Sequence, residues 1–514
     1  MLLLQSNIER IMNKFWILFM LSLSVNAYSQ KDYCGAINQK SEWLVNYQKN
    51  PGAYELRFDD TLYIPIGLTV VGDDEGKKRM GDLNLIKILN ILNEDYAEAK
   101  IRFFLPRVVR HEFYSKWSEH ATVLEGADMM FELNQDSVIN CYFLLDAAGN
   151  CGYNLPYGGM VVSNNCASLQ DHTWAHEMGH GLSLPHPFYG WEGGVSWDGS
   201  VSHNYSNPAP EYVLADYTNF KDTLIRDTLI IDTILVEKID GSNCHLAADG
   251  FCDTKPDYLY TRWSCTSTNA ISQQVQTDPN GEKFQSDGTL IMSYADDKCA
   301  ARFSEEQMAA MRANFLNEKS QLNYGQVPLS AITSFNIDHI KPFYEETVNY
   351  QNINLQWSQV ENADYYLVQF SKYSQFSIIS LDTIVENNEM LVPQLENDSK
   401  WYWRVMPFNA YNFDIQFSNG SLFFTSEMVS TSELSSTIKA WPNPVLKGEF
   451  NISLDHNEKI ENIEVYDISG RHILLDMNIN GSMASIETKN LNMGVFIVRI
   501  NTDKQYYTLR MMVE

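Results

Sequence analysis

The chain has 514 residues, enough for roughly three domains, and 44% of its residues are hydrophobic while 20% are charged. This balance is typical of globular proteins and argues against an intrinsically disordered chain. The formal net charge of −28 argues against a nucleic-acid partner, because nucleic-acid binding needs a basic surface.

Residues 1–29 are predicted to be a signal peptide. A short basic region around Lys14 precedes an apolar run over residues 15–25, and Ala27 and Ser29 supply small residues for cleavage. An apolar run of this length is too short to span a bilayer, so we expect export without a transmembrane anchor. Met12 is an alternative start of the chain.

The first strongly patterned elements predict an α+β domain around a twisted sheet. Residues 61–71 are apolar and β-branched, which predicts a buried strand, and apolar residues at helical spacing follow Asp82. Further strands are predicted at residues 101–105, 138–145 and 159–162.

All eight cysteines lie in the first 300 residues, and in an exported protein they predict disulfides. Six of them could form three bridges; these are Cys151, Cys166, Cys244, Cys252, Cys265 and Cys299. The connectivity does not follow from the sequence. Closely spaced Cys-x-x-Cys pairs, the mark of a structural zinc site, do not occur.

A His-Glu-x-x-His motif at residues 176–180 predicts a catalytic zinc site. Residues four apart share one face of a helix, so His176 and His180 can bind the same ion. Glu177 lies one step round the helix, where it can take a proton from a water that zinc activates. His186 supplies a third nitrogen if the chain leaves the helix and turns back. Three neutral ligands and one open position are typical of catalytic zinc.

Together with Met292 further along the chain, this motif resembles the metzincin metalloproteases, whose zinc motif precedes a methionine-containing turn. The resemblance implies that Met292 forms an apolar floor beneath the metal and that Tyr294 hydrogen-bonds the developing oxyanion. It also implies that residues 159–162 form the sheet edge along which peptides bind, with Met160 lining the cleft. Ser183 stands where the motif has glycine, and we expect it to carry backbone strain there.

The segment Asp249-Gly-Phe-Cys-Asp253-Thr254-Lys-Pro256 resembles the Gly-Asp-x-x-x-Asp-Thr-Pro segment of the pappalysin family of metzincins, with one lysine inserted. The resemblance covers about residues 60–320, and we place the protease domain at 59–325. It implies that Asp249 and Asp253 are candidate calcium ligands, although capping or turn roles are equally compatible. Ser304 and Gln307 predict a capping box for a final helix.

Residues 330–426 predict a second domain, an all-β sandwich. Strands around Trp357, residues 364–370 and residues 400–406 are separated by turn signals and resemble a fibronectin type III module. Trp357 and Trp403 are expected in its core. A polar linker is predicted at residues 427–438.

The last predicted domain, residues 439–514, resembles the C-terminal sorting domain of type IX secretion. It carries in order Pro442-Asn-Pro444, Asp467-x-x-Gly-Arg471 and Gly494-x-x-x-Val-Arg499. The resemblance implies that the type IX secretion machinery is a partner and that the protein is secreted or displayed at the cell surface.

These features predict a secreted zinc endopeptidase that acts on protein or peptide substrates. The alternative is a catalytically inactive metzincin-like protein that serves surface adhesion or binding, which the serine at 183 and the two β-modules would suit. Cys34 lies in residues 30–58, a candidate pro-segment. It is predicted either to occupy the open zinc position as a latency ligand or to form a disulfide with Cys141.

Overall fold

The computed structural model describes residues 32–34, 39–156, 158–217, 230–322, 325, 328–427, 438–446, 448–454, 458–503 and 506–513. The predicted signal peptide lies outside these residues, as does most of the predicted linker. Within them the structure contains a mixed α/β region followed by two all-β regions.

Six α-helices occur in the described part of the chain: α1 Glu42–Lys49, α2 Asp82–Asp95, α3 Ser115–Ser118, α4 Val123–Leu133, α5 Thr173–Gly181 and α6 Glu305–Asn317. The strands of the mixed region are β1 Asp32–Cys34, β2 Leu62–Gly72, β3 Ile101–Phe104, β4 Arg110–Phe113, β5 Glu119–His120, β6 Ile139–Leu144, β7 Asp146–Ala147, β8 Asn150–Leu155, β9 Gly159–Ser163, β10 Tyr212–Asp216, β11 Ile231–Leu235, β12 Gln276–Thr277 and β13 Lys283–Phe284. Strands β2, β3, β6 and β9 and helices α2 and α5 confirm the predictions made for their positions.

The mixed region is built on a nine-stranded sheet in the order β3-β2-β6-β9-β8-β7-β5, with β1 on β8 and β4 on β2. Strand β9 lies between β6 and β8 and is therefore an interior strand. The prediction that residues 159–162 form the sheet edge is wrong, because the sequence analysis missed β8, which pairs antiparallel to β9 on its outer side. Met160 is accordingly fully buried and lines no edge.

Helix α2 ties this sheet to α5. The apolar face predicted for it is buried, with Leu85 and Leu89 inaccessible to solvent. Just past its end, the buried hydroxyl of Tyr96 donates a hydrogen bond of 2.9 Å to the carbonyl of Ala175 in α5. This contact fixes the height of α5 against the sheet.

Helix α6 begins with the predicted capping box, in which Ser304 and Gln307 bond each other's backbone N–H. In its middle, the guanidinium of Arg312 is fully buried and donates only to backbone carbonyls. Those acceptors belong to two other stretches of chain and are Leu56, Arg57, Asp60, Ala99 and Lys100. Five peptide groups from distant positions are thus held together by one side chain.

Between α5 and α6 the chain is irregular, with the short hairpins β10–β11 and β12–β13. The mixed region contains three disulfides, which are Cys151–Cys166, Cys244–Cys252 and Cys265–Cys299. They use the six cysteines that were expected to pair. The alternative Cys34–Cys141 bridge is wrong for this structure, since Cys141 is a buried thiol inside β6 and Cys34 lies on β1, which pairs with the far side of β8.

The second region is a β-sandwich, with strands β14 His339–Lys341, β15 Glu346–Asn349, β16 Gln351–Trp357, β17 Tyr365–Ser371, β18 Leu381–Val385, β19 Glu389–Gln394, β20 Ser399–Phe408 and β21 Ser421–Ser426. Its sheets have the orders β14-β16-β19 and β15-β21-β20-β17-β18. Trp357 and Trp403 are fully buried between them, as predicted.

The sandwich shares a core with the mixed region. The ring of Tyr411 stacks on Phe104 with centroids 4.6 Å apart, and Leu105 donates its backbone N–H to the carbonyl of Ala410 at 2.9 Å. The hydrophobic cluster around α2 also includes six buried residues of the sandwich, namely Tyr365, Leu367, Ile384, Met406, Phe408 and Phe413.

The last region holds strands β22 Ile438–Trp441, β23 Glu449–Leu454, β24 Ile460–Asp467, β25 His472–Ile473, β26 Met477–Asn480, β27 Met483–Glu487, β28 Gly494–Thr502 and β29 Tyr506–Val513. They form two four-stranded sheets, β22-β23-β27-β26 and β25-β24-β28-β29. Among the described helices, none combines the length and apolar character needed to cross a bilayer.

Candidate metal centre and cleft

Helix α5 carries the first two histidines of the motif on the face that turns away from solvent. His176 and Glu177 are completely buried, and His180 at the C-terminal end is partly exposed. The helix ends because Ser183 takes a left-handed conformation with φ of +73°, as predicted for this position. That turn sends the chain back so that His186 reaches the same side as His176 and His180.

The three histidines converge on one point. Nε2 of His180 lies 3.1 Å from Nε2 of both His176 and His186, and the remaining Nε2 pair is 3.2 Å apart. Three nitrogens at zinc-binding distance from one tetrahedral ion are separated by about 3.3 Å. The triangle therefore has the size that zinc requires.

The opposite ring nitrogens determine which tautomers are present. Nδ1 of His176 is 2.9 Å from the carbonyl of Ile291, and Nδ1 of His180 is 2.8 Å from the carbonyl of Leu184. A carbonyl accepts only, so both Nδ1 atoms carry hydrogen and both Nε2 atoms present lone pairs. Lone pairs facing each other at 3.1 Å repel unless a cation lies between them.

Burial also keeps the three imidazoles neutral. It holds the pKa values of His176 and His180 well below their usual range, an effect that the neighbouring imidazoles strengthen, and it lowers the pKa of His186 to about 3. Neutral imidazole is the form that binds metal. The site thus fits zinc in its donor type, spacing and protonation.

Met292 lies directly beneath α5. It is fully buried, and a side chain at Gly179 would come within 2.4 Å of its sulfur, so the helix needs glycine there. The same turn presents the Ile291 carbonyl to His176. Met292 therefore packs against α5 at Gly179, next to His180 in the sequence, and its role as an apolar floor beneath a metal stays a prediction.

Tyr294 stands at the side of the histidines. Its ring contacts those of His186 and Phe188 at centroid distances of 4.9 and 4.5 Å. Its hydroxyl donates a hydrogen bond of 3.2 Å to the carbonyl of Cys34. The hydroxyl is therefore next to the site and is engaged by the N-terminal segment.

Cys34 reaches the site from the sheet edge. Strand β1 pairs parallel with the outer side of β8, with Cys34 opposite Gly152. The Cys34 sulfur and one ring nitrogen from each of the three histidines all lie within 4.8 Å of one another. The N-terminal segment thus runs along β8 and brings a thiol to the point where the imidazoles converge.

Glu177 occupies an apolar setting beside that thiol. Burial raises the pKa of its carboxyl to about 8, and the Cys34 thiol offsets part of the rise. Neither carboxylate oxygen has an N–H or O–H donor within the described residues. A methyl group at Gly152 would lie 2.8 Å from Cγ and Oε1 of Glu177, so glycine lets β8 pass close to the carboxylate.

The candidate calcium residues are held in two different ways. Asp253 caps α6 by accepting hydrogen bonds from the Ser304 hydroxyl and the Glu306 N–H. The buried carboxylate of Asp249 accepts from Phe251 and Thr254. It also lies near the ammonium of Lys40. Asp253 therefore has the capping role left open above, and calcium at these residues stays a prediction.

Two residues at this site were missed in the sequence analysis. Gly152 belongs to β8, which was not predicted as a strand because it contains polar residues. Glu192 lies with its Oε1 atom 3.6 Å from Nδ1 of His186. The only local signal for Glu192 is Gly190, which marks a sharp turn shortly after the third histidine.

Comparisons with known proteins cover parts of the chain. Residues 439–514 match the family described as secretion system C-terminal sorting domain, which indicates type IX secretion to the cell surface or exterior. No curated protein matches the chain. A promirolysin mutant from Tannerella forsythia is 15% identical, with 57% of this chain and 97% of that chain covered and a TM-score of 0.37. The fn3 domain of the human collagen alpha-1(XX) chain is 18% identical, with 21% and 94% covered and a TM-score of 0.15.

Proposed function

We propose that the chain is a secreted zinc endopeptidase of metzincin type, related to the pappalysins. The observation that carries this proposal is the triangle of Nε2 atoms of His176, His180 and His186, which lie 3.1–3.2 Å from each other. At most one hydrogen, on Nε2 of His186, could be shared with the lone pairs of the other two, whereas a zinc ion at the centre satisfies all three nitrogens. The sorting domain at residues 439–514 supports export.

The chemistry divides between the ion and the chain. Zinc held by the three histidines would polarise a scissile carbonyl and activate a water molecule. Glu177 takes the proton of the attacking water and later delivers it to the leaving amine. Its apolar surroundings suit this role, because a general base works best when its pKa lies near the working pH. Tyr294 would donate its hydroxyl, which now bonds the Cys34 carbonyl, to the developing oxyanion once the N-terminal segment has left.

The outer edge of β8 is the proposed substrate track. It is an extended backbone close to Glu177, and β1 already occupies it by strand pairing. An extended peptide can replace β1 by the same backbone hydrogen bonds, which are largely independent of sequence. The proposed substrates are therefore protein segments in extended conformation.

Replacing Glu177 by Ala tests the mechanism. The purified, matured protein is assayed on casein and denatured collagen, with and without a zinc chelator, and its zinc is measured. We expect chelator-sensitive cleavage by the parent. The Glu177→Ala variant should keep stoichiometric zinc and lose at least ~99% of turnover, because it lacks the proton carrier. Loss of zinc together with activity would give Glu177 a structural role. A matured parent that cleaves nothing would favour the adhesion protein instead.

We further propose that Cys34 keeps the precursor latent as a fourth ligand of the ion. Its sulfur already lies within 4.8 Å of the three histidine nitrogens, and thiolate is a strong zinc ligand. The Cys34→Ala precursor should cleave casein without prior proteolysis. The matched control is Cys141→Ala, which removes a buried thiol from β6 and should lower stability without releasing activity. A Cys34→Ala precursor as silent as the parent would show that the thiolate is not needed for latency and that pairing of β1 with β8 is enough.

A further inference from the structure

The outer nitrogens of the three histidines have different partners. Those of His176 and His180 face the backbone carbonyls of Ile291 and Leu184 at hydrogen-bonding distance. The corresponding nitrogen of His186 faces a carboxylate, because Oε1 of Glu192 lies 3.6 Å away. Only the third histidine thus faces a carboxyl group, whereas the other two face backbone carbonyls.

The chain after His186 folds back to bring this carboxylate into place. Tyr189 donates its N–H to the carbonyl of His186 at 3.0 Å, and Trp191 donates to Phe188 at 2.8 Å. Gly190 between them has a φ of +98°, and a side chain there would come within 2.7 Å of Ile234. These two turns and the left-handed glycine return Glu192 to the side of His186.

One oxygen of Glu192 is used within the loop and the other is not. Oε2 accepts a hydrogen bond of 2.8 Å from the N–H of Gly190. Oε1 is buried and has no hydrogen-bond partner in the part of the chain that the structure describes. A buried carboxylate oxygen without a donor is costly, so its orientation toward His186 calls for a functional explanation.

We infer that Glu192 is a positioning residue for the third zinc ligand. Its Oε1 atom accepts the Nδ1 hydrogen of His186, fixes the tautomer with its lone pair on Nε2, and holds that nitrogen toward the shared point. This inference rests on the proposed zinc site. Metal-binding histidines in general donate their other N–H to such an acceptor, and a carboxylate partner makes the imidazole a stronger donor to the metal. A bound cation polarises the Nδ1 hydrogen and so favours closing the 3.6 Å gap.

The rival explanation is that Glu192 serves only the loop, through its bond to Gly190. Two variants of the full chain separate these roles, Glu192→Ala and Glu192→Gln, because the amide of glutamine still offers an oxygen to Nδ1. Glu237→Gln is the control, since Glu237 is a buried carboxyl group in the same irregular region but faces Lys40. Zinc affinity is measured by competition with a chelator, and the ligand field by the visible spectrum of the cobalt(II)-loaded protein.

We expect Glu192→Ala to weaken zinc binding about 10–100-fold and Glu192→Gln to weaken it less. Both should change the cobalt spectrum, whereas Glu237→Gln should change neither measurement. Variants that match the parent in affinity and spectrum would overturn the inference, and Glu192→Gln decides alone if Glu192→Ala does not fold. A parent that binds no zinc would instead overturn the proposed function itself, so the two failures are distinguishable.

Discussion

The residue that ends α5 combines backbone strain with a compensating hydrogen bond. Ser183 has a φ of +73°, which costs a residue with a side chain about 1 kcal/mol or more relative to glycine. Its hydroxyl accepts a hydrogen bond of 2.8 Å from the amide of Asn314 in α6. A net gain of about 1 kcal/mol from that bond offsets the strain. Serine is therefore a workable substitute for the motif glycine.

Two substitutions at this position should have unequal effects. Ser183→Gly relieves the strain and loses the hydrogen bond, so its free energy of unfolding should stay within about 1 kcal/mol of the parent. Ser183→Ala keeps the strain, loses the bond and leaves the buried Asn314 amide without this acceptor, so it should be about 1–2 kcal/mol less stable. Urea denaturation of both variants measures the difference. An alanine variant as stable as the parent would mean that the bond to Asn314 contributes nothing.

At this scale, residues of the site could be predicted where one element carries them. Helical periodicity alone places His176, Glu177 and His180 together, and the motif spacing adds His186. Glu192 could not be predicted, because its position depends on consecutive turns and on packing of Gly190 against Ile234, a residue far along the chain. Sequence periodicity describes neighbours within one helix or strand. It contains no information on how the chain after His186 folds back to bring Glu192 beside that histidine.

At the scale of elements, the strand that the sequence did not predict is β8, which passes closest to Glu177. Strand β8 reads Asn-Cys-Gly-Tyr-Asn-Leu, which has neither a β-branched run nor a clear alternation of polar and apolar residues. It forms because β9 pairs with it on one side and a disulfide from Cys151 holds it. These are long-range causes, whereas β2 and β6 are apolar enough to be predicted from their own composition.

The closeness of β8 to Glu177 makes Gly152 a sensitive position. A Gly152→Ala substitution brings a methyl group to 2.8 Å from the Glu177 side chain, so the carboxylate must move. Displacement of a catalytic group by about 1 Å can cost on the order of 100-fold in rate. We expect turnover of the matured variant to fall by this order while zinc remains stoichiometric. Unchanged turnover would show that β8 can yield without moving Glu177.

At the scale of the whole molecule, the sandwich packs directly on the mixed region. Tyr411 packs on Phe104, and Asp382 of β18 accepts the N–H of Leu83 in α2 at 3.2 Å. The sequence predicted a separate module, since a β-sandwich pattern does not reveal which of its faces is covered. The sorting region makes fewer contacts: Asn492 bonds Glu112, and Tyr466 and Ile497 pack on Leu391 of the sandwich.

Calorimetry can test this division. We expect the mixed region and the sandwich to unfold in one transition, and Tyr411→Ala should lower its free energy of unfolding by about 3 kcal/mol, as loss of a buried aromatic ring does. Removal of residues 439–514 should leave that transition almost unchanged. Two separate transitions for the mixed region and the sandwich would contradict the shared core.

The buried guanidinium of Arg312 also sets a limit on how the N-terminal segment can be trimmed. Under the proposed latency, Cys34 departs when the site opens. The carbonyls of Leu56, Arg57 and Asp60, however, bind the charge of Arg312, which has no access to water. A cut C-terminal to Asp60 would remove these three acceptors. The buried Arg312 charge would then lack them, at a cost of several kcal/mol. We therefore expect a proteolytic boundary, if the N-terminal segment is removed as proposed, to fall before Leu56 rather than at the predicted residue 58. The mature N-terminus would then be a short tail clamped by Arg312.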